Sequence, residues 1–270
     1  MKVALELKNV TKHYNQFDFD NVSLKLPSGC IMGLIGENGA GKSTMIKLIM
    51  NLAHKDQGNI YLFEKDQKEA LSKNIENIGV VFDECCFPEE LTLSDINKVM
   101  RNIYKTWNED KFLTLGKKFK LPMKKPIKDY SRGMKMKLSI SVALSHDTKL
   151  LILDEATSGL DPVMKEEILD IFLDFIQDES NSILMSSHII GDVEKICDYV
   201  TMINKGKSVF SENKDDLLDK HCIIKASANK INEIDPSAII GRRDNAFGTE
   251  ALVKKNLIPD GFVKEKARIE

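Results

Sequence analysis

The sequence predicts an α/β fold: a sheet of buried strands, an inserted helical subdomain and a small α+β tail. Three observations predict it. Four largely apolar runs, "CIMGLIG", "IGVVF", "LLILD" and "SILMSSH", read as strands covered on both faces and are spaced by helical segments. Between Asp83 and Lys149 the pattern turns helical throughout. From about Lys214 onward the chain becomes more polar and its elements shorter.

The elements follow in order. "ALELKNVTKHY" and "FDNVSLKLP" alternate apolar and polar positions, as half-buried antiparallel strands do. After the buried run that ends at Gly36, "KSTMIKLIMNL" sets Met45, Leu48, Ile49 and Leu52 on one helical stripe. "SDINKVMRNIYKTW" reads as a helix capped by Ser94, and Asn108 caps "EDKFLTLGKKF". Pro122 and Pro126 then break the chain ahead of Tyr130. Asp161-Pro162 is a cap with proline at the first helical position, opening a helix with Ile168, Ile171, Phe172, Phe175 and Ile176 on one face. "YVTMINKGKSVF" reads as a hairpin turning at Lys205-Gly206. In the tail, "HCIIKA" and "EALVKKN" read as strands and Arg242-Arg243-Asp244 as a solvated turn.

Composition narrows the function. Hydrophobic residues make up 42% and charged ones 30%, enough for an ordinary packed core. A formal net charge of −2 gives no electrostatic case for nucleic acid as the main partner. No apolar run reaches membrane-spanning length, and "MKVALELKNV" lacks the apolar core of a signal peptide. The five cysteines are odd in number and lack metal-ligand spacing; adjacent Cys85 and Cys86 read as small hydrophobes in a reducing cytosol, ahead of a redox-active pair.

The chemistry lies in two stretches. "GENGAGKST", Gly36 to Thr44, matches G-x-x-x-x-G-K-[ST] between a buried strand and a helix, the context that makes this P-loop pattern specific. Gly36, Gly39 and Gly41 let N–H groups turn inward around a phosphate, with Asn38 and Ala40 between them in the same cradle. Lys42 adds a full positive charge to the partial one of the helix N-terminus. Ser43 can offer its hydroxyl to Mg²⁺, and Thr44 can reach the α-phosphate. In "LLILDEATSGLD", Asp154 ends a buried strand, where its carboxylate can hold Mg²⁺ through water. Glu155 on the same edge can polarise an attacking water as general base. His188 follows the next apolar strand, either sensing the γ-phosphate or capping the strand end.

With Gly36–Thr44, Asp154-Glu155, "SGLD" and His188 in this order, the chain resembles the nucleotide-binding subunit of an ABC transporter over residues 3–211. The resemblance implies a P-loop NTPase with a RecA-like mixed sheet, an N-terminal antiparallel β-subdomain and a helical subdomain at about 84–148. Residues 1–213 would form the nucleotide-binding domain and 214–270 a C-terminal extension. The family's signature, commonly L-S-G-G-Q, falls on Tyr130-Ser131-Arg132-Gly133-Met134, which keeps the serine and the second glycine. Two copies in this family, as a homodimer or heterodimer, sandwich two ATP molecules head to tail. Ser131, Gly133 and Met134 would then contact ATP held by the other copy, and Arg132 either adds charge near its γ-phosphate or points to solvent. Tyr14 matches the aromatic that stacks on adenine, and Asp161 the aspartate that joins the two sites. Asp83 stands where a metal-contacting glutamine is usual, with a charge and a shorter reach that differ.

The acid at position 83, the S-[RK]-G-M signature and the tail look like bacterial ABC-2 type exporter ATPases, including bacitracin- and lantibiotic-resistance subunits and Ytr-type transporters. That resemblance implies ATP hydrolysis driving export through transmembrane permease subunits, on the cytoplasmic side and peripheral to the inner face of the membrane. The permease would dock near Cys85-Cys86-Phe87-Pro88, where Phe87 and Trp107 either line the groove or pack ordinarily. The alternative is a soluble, non-transport ABC ATPase, for example in Fe–S assembly. A ribosomal type would need a second cradle, and a chromosome-structuring type a coiled coil for which Lys42 to Ser131 leaves no room.

Overall fold

Residues 2–245, 248–259 and 261–268 are described in a computed structural model of the chain. Two compact units emerge, Met1–Ser211 and Glu212–Glu270.

In the first unit, the alternating stretches pair as β1 (Val3–Tyr14) and β2 (Phe17–Pro27), antiparallel, with Leu5, Leu7, Val10, Val22, Leu24 and Leu26 turned into one core. The run after them is β3 (Ile31–Ile35), buried at every position. The phosphate-cradle sequence leads into α1 (Lys42–Ile49). That helix stops short of Leu52, which is 66% exposed and off the expected stripe. Asn51 takes a left-handed φ of 56°, and the amides of Leu52 and Ala53 turn back onto the Lys47 carbonyl.

Residues 57–74 form β4 (Gln57–Leu62), β5 (Lys65–Asp66) and α2 (Gln67–Asn74). The first two complete the antiparallel sheet, in the order β2-β1-β4-β5. Next come β6 (Ile78–Val81) and three helices, α3 (Leu93–Ile103), α4 (Glu109–Lys118) and α5 (Arg132–Leu144). The cap of α3 is Thr92 rather than Ser94. Asp95, at the third helical position, receives the Thr92 amide while the Thr92 hydroxyl accepts from the Asp95 amide, a reciprocal box that Ser94 cannot make. The same helix ends at Ile103, before the expected Trp107, because the Glu76 carboxylate takes the amides of Lys105 and Thr106 at 3.0 Å each.

The central sheet is completed by β7 (Leu150–Asp154), α6 (Pro162–Phe175), β8 (Ser182–Ser187), α7 (Ile190–Ile196) and the hairpin of β9 (Tyr199–Asn204) and β10 (Lys207–Asn213). Its order is β10-β9-β3-β8-β7-β6, with β9, β3, β8, β7 and β6 mutually parallel and β10 turning back at Lys205-Gly206. Parallel strands bring their C-terminal ends to one edge, and that edge collects the functional side chains. The α/β mixed sheet, the antiparallel β-subdomain and the helical insertion of the sequence reading are all present.

The second unit holds α8 (Lys214–Lys220), β11 (His221–Ala226), α9 (Ala228–Ile231), β12 (Ile239–Asn245), β13 (Gly248–Lys254) and β14 (Lys264–Lys266). Its sheet runs β12-β13-β11-β14 over its own small core of Cys222, Ile224, Ile231, Ala251 and Val253. Arg242-Arg243-Asp244 lies within β12, not in a turn, because pairing sets Arg243 opposite Glu250 of β13.

One buried histidine ties the helical insertion to the sheet. His146 is 6% exposed and stacked on Tyr104, ring centroids 4.1 Å apart and planes 4° from parallel. Its Nδ1 donates to the Glu76 carbonyl at 2.7 Å, which fixes the neutral tautomer. Burial pushes this imidazole below its ordinary 6.5, more than the Glu76 carbonyl pulls it up. The unfolded chain therefore takes the proton first, so the stabilisation is full above pH 6.5 and is lost as pH falls toward the folded value. His146→Phe keeps the ring stack but cannot titrate. The gap in urea midpoint between wild type and His146→Phe should narrow as pH is lowered from 7.5 to about 5.5, and a gap independent of pH would contradict this account.

Candidate functional site

The cradle is built by elements on two sides. Gly41, at φ 116°, opens α1 without any side chain capping the helix, so its first amides face the loop. Behind the loop, the Gly206 amide donates to the Ala40 carbonyl at 2.9 Å, and the Gly206 carbonyl accepts from the Asp20 amide at 2.8 Å. A Cβ on Gly206 would fall 1.8 Å from the Asp18 carbonyl oxygen, and its φ is +76°. Only glycine fits there. The hairpin turn was legible in the sequence, but its role as backing for the cradle was not.

Lys42 is 5% exposed and its Nζ donates to the Gly36 carbonyl at 2.8 Å and to that of Glu37 at 3.3 Å. Glu155 Oε1 lies 3.2 Å from the same ammonium. Opposite the cradle, Asp154 is 7% exposed at the end of β7, where its Oδ1 accepts from the Ser186 hydroxyl at 2.6 Å. Glu155 takes a left-handed φ of 51°, and its other oxygen meets His188 Nδ1 at 2.6 Å. Glu155 Oε1 is buried yet makes no hydrogen bond, since the contact with Lys42 is one of charge without hydrogen-bond alignment. His188 thus bonds the expected base rather than a strand end.

Lys42 and Glu155 border a cleft of about 690 Å³, within the range of small-molecule sites. Ser43 and Thr44 line it, and Tyr14, 43% exposed, stands at its mouth beside Phe17, ring centroids 6.4 Å apart. Phe17 carried no signal in the sequence beyond a strand aromatic. Asp83 also lines the cleft, but its carboxylate is held by Arg132 at 2.6 Å. The two unusual residues of the sequence, one just before the helical insertion and the other in the first turn of α5, pair with each other.

Ser131, Gly133, Met134 and Asp161 do not line this cleft. Ser131 caps α5 by accepting from the Met134 amide at 3.2 Å, and Asp161 caps α6 by accepting from the Met164 amide at 3.0 Å. Gly133 is buried against Met164, whose sulfur would lie 2.3 Å from a Cβ. A second groove, about 450 Å³, borders Asp83, Glu89, Tyr130, Arg132 and Lys135; neither Phe87 nor Trp107 lines it. Trp107 instead packs on Phe112 and donates to Asn97 at 2.9 Å. Cys86 is exposed rather than packed away, and what burial its thiol has pushes it up, which disfavours the reactive thiolate.

Among the described residues no three His, Cys, Asp or Glu side chains form a metal cluster. Ser43, Thr44, Asp83 and Glu155 present oxygen donors at the cleft, and Asp154 ends the strand that leads into Glu155; hard oxygen ligands of this kind suit Mg²⁺ held jointly with phosphate oxygens. The fit is that of a nucleotide-borne metal.

A strand–loop–helix cradle facing an acid pair two strands away in a parallel sheet defines a P-loop nucleoside triphosphatase. The profile of the ABC transporter family matches residues 19–158. The chain is 34% identical over 230 residues to the lantibiotic transport ATP-binding protein SrtF of Streptococcus pyogenes, covering 82% of this chain and 98% of SrtF. It is 32% identical over 222 residues to the bacitracin transport ATP-binding protein BcrA of Enterococcus faecalis, covering 80% and 71%. A solved structure of the ATP-binding subunit of an ABC transporter superposes with a TM-score of 0.73 at 26% identity, over 80% of this chain and 92% of the other. The chain belongs to the ABC transporter family, as one of its ATP-binding ATPase subunits.

The Asp83–Arg132 pair is about half exposed on both sides. A double-mutant cycle of Asp83→Asn and Arg132→Gln in urea unfolding should give a coupling below about 1 kcal/mol. A coupling of several kcal/mol would mean that the pair is a structural strut.

Proposed function

We propose that this chain powers export across the cytoplasmic membrane, with two ATP molecules held between two copies, or a copy and a related subunit, arranged head to tail. Its other partners are transmembrane permease subunits, which hold it at the inner face of the membrane. No described helix is long and apolar enough to cross a membrane itself. Relatives named for lantibiotic and bacitracin transport favour this over a soluble, non-transport ATPase. Residues 1–213 form the nucleotide-binding domain, with the helical subdomain at about 84–148, and 214–270 an extension.

The observation that carries the catalytic reading is the buried, unbonded oxygen of Glu155. A buried acceptor without a donor is unfavourable by about 1–3 kcal/mol, and an attacking water would supply the donor. Lys42 beside it exchanges the loop carbonyls for phosphate oxygens when ATP enters, and the amides of Gly36 to Thr44 enclose the β-phosphate. Tyr14 stacks on adenine. Glu155 orients and deprotonates the water, and His188, bonded to the same carboxylate, steadies it and reaches toward the γ-phosphate. Ser43, Asp154 and Asp83 would hold Mg²⁺, which when bound would neutralise charge on the phosphate oxygens. Asp83 would do so through Oδ2, since Arg132 holds its Oδ1. Ser131, Gly133 and Met134, at the N-terminus of α5, close over the ATP of the other copy, and Asp161 meets its counterpart across the same interface.

Solution mass tests this directly. Glu155→Gln should bind ATP, hydrolyse it at least about a hundredfold more slowly, and shift from monomer to dimer with ATP and Mg²⁺. Adding Ser131→Arg should abolish the shift while leaving ATP binding intact. Wild-type hydrolysis by a species that remains monomeric would overturn the sandwich.

A further inference from the structure

The acid pair of β7 is not held by its own strand alone. Parallel register sets Ser186 of β8 opposite Asp154, with the Ser186 side chain 1% exposed. A hydroxyl has one hydrogen to give, and here it goes to Asp154 Oδ1 at 2.6 Å. The Ser186 hydroxyl oxygen in turn accepts the Glu155 amide at 3.0 Å. Glu155 needs such a hold, because its φ of 51° is a left-handed conformation that costs a non-glycine residue about 1–2 kcal/mol.

We infer that Ser186 is a positioning residue for ATP hydrolysis: its one hydroxyl fixes both the Asp154 carboxylate and the backbone turn that aims Glu155 at Lys42 and His188. The inference rests on the roles proposed above for Asp154 and Glu155. Committing Oδ1 to Ser186 stops rotation of the carboxylate and leaves Oδ2 for a metal-bound water. Accepting the Glu155 amide anchors the strained residue at its backbone, so its carboxylate swings about side-chain torsions only. The neighbouring Ser187 cannot substitute, since alternation turns it to the other face, where it accepts the Ile189 amide at 3.0 Å. An apolar residue at 186 would leave the part-buried Glu155 amide unpaired and both acids less fixed.

The full chain carrying Ser186→Ala, Ser186→Cys or Ser186→Thr provides the test. Cysteine is close to serine in size but a weak donor, whereas threonine keeps the hydroxyl. Each variant is scored for thermal shift by ATP in EDTA, for the further shift on adding Mg²⁺, and for kcat and KM. Ser186→Ala and Ser186→Cys should keep the EDTA shift, lose much of the Mg²⁺-dependent increment and lose about ten- to hundredfold in kcat. Their KM for ATP should stay within about threefold of wild type, and Ser186→Thr should recover most of the rate. Wild-type kcat and Mg²⁺ dependence in Ser186→Ala would overturn the inference. So would equal loss of the EDTA shift in all three variants, which would make Ser186 a packing residue. Glu155→Gln measured alongside separates the two claims. Undiminished hydrolysis there removes the proposed base, whereas slow Glu155→Gln with an unimpaired Ser186→Ala removes only the role of Ser186.

Discussion

The site depends on one contact between buried opposite charges, Lys42 and Glu155, whose side chains are 6% and 14% exposed. Each charge at such depth needs compensation, because an ion taken out of water is unfavourable unless it is paired or hydrogen-bonded. The two residues are more than a hundred positions apart and belong to segments that follow different strands. They meet because β3, β8 and β7 are parallel neighbours whose C-terminal ends share an edge. The long buried strands, covered on both faces, are therefore the means by which an ammonium and a carboxylate are brought together out of water. Two loop carbonyls on Lys42 and an imidazole on Glu155 share the remaining burden of burial.

A division of labour runs through the first unit. Residues at the strand ends face the cleft and leave acceptors open, whereas Ser131 and Asp161 use their oxygens to cap the helices that follow them. A capping oxygen keeps a second lone pair, so local satisfaction does not exclude an outside ligand. The Asp83–Arg132 pair sits between these two populations, one member beside the cleft and the other in the first turn of α5.

The legibility of the sequence was uneven for physical reasons. The P-loop and the "LLILD" strand were readable because each combines a spacing with an apolar context that few other arrangements share. Helix ends were less so: Thr92 outcompeted Ser94 through a carboxylate three residues on, and Leu52 was cut from its stripe by the left-handed turn at Asn51. The strands of residues 57–66 were missed because "QGNIYL" has few apolar positions and borrows its stability from β1. Ser186 gave no signal at all, since a serine near a strand end acquires meaning only once the register across the sheet is known. The pairing of Asp83 with Arg132 was hidden for the same reason, being a contact between residues far apart in the chain.

The turn at Gly206 carries a consequence of a different kind. Surface hairpin turns are ordinarily the parts of a protein that drift most freely in sequence and length. This one is wedged between the Ala40 carbonyl, on the back of the cradle, and the backbone of Asp18 and Asp20 in β2. Insertion of a single residue there would displace the floor of the nucleotide cleft, although the turn itself touches no ligand. A stretch that looks like interchangeable connecting chain has thus forfeited its freedom to vary, and its mutational tolerance should resemble that of the P-loop more than that of a loop.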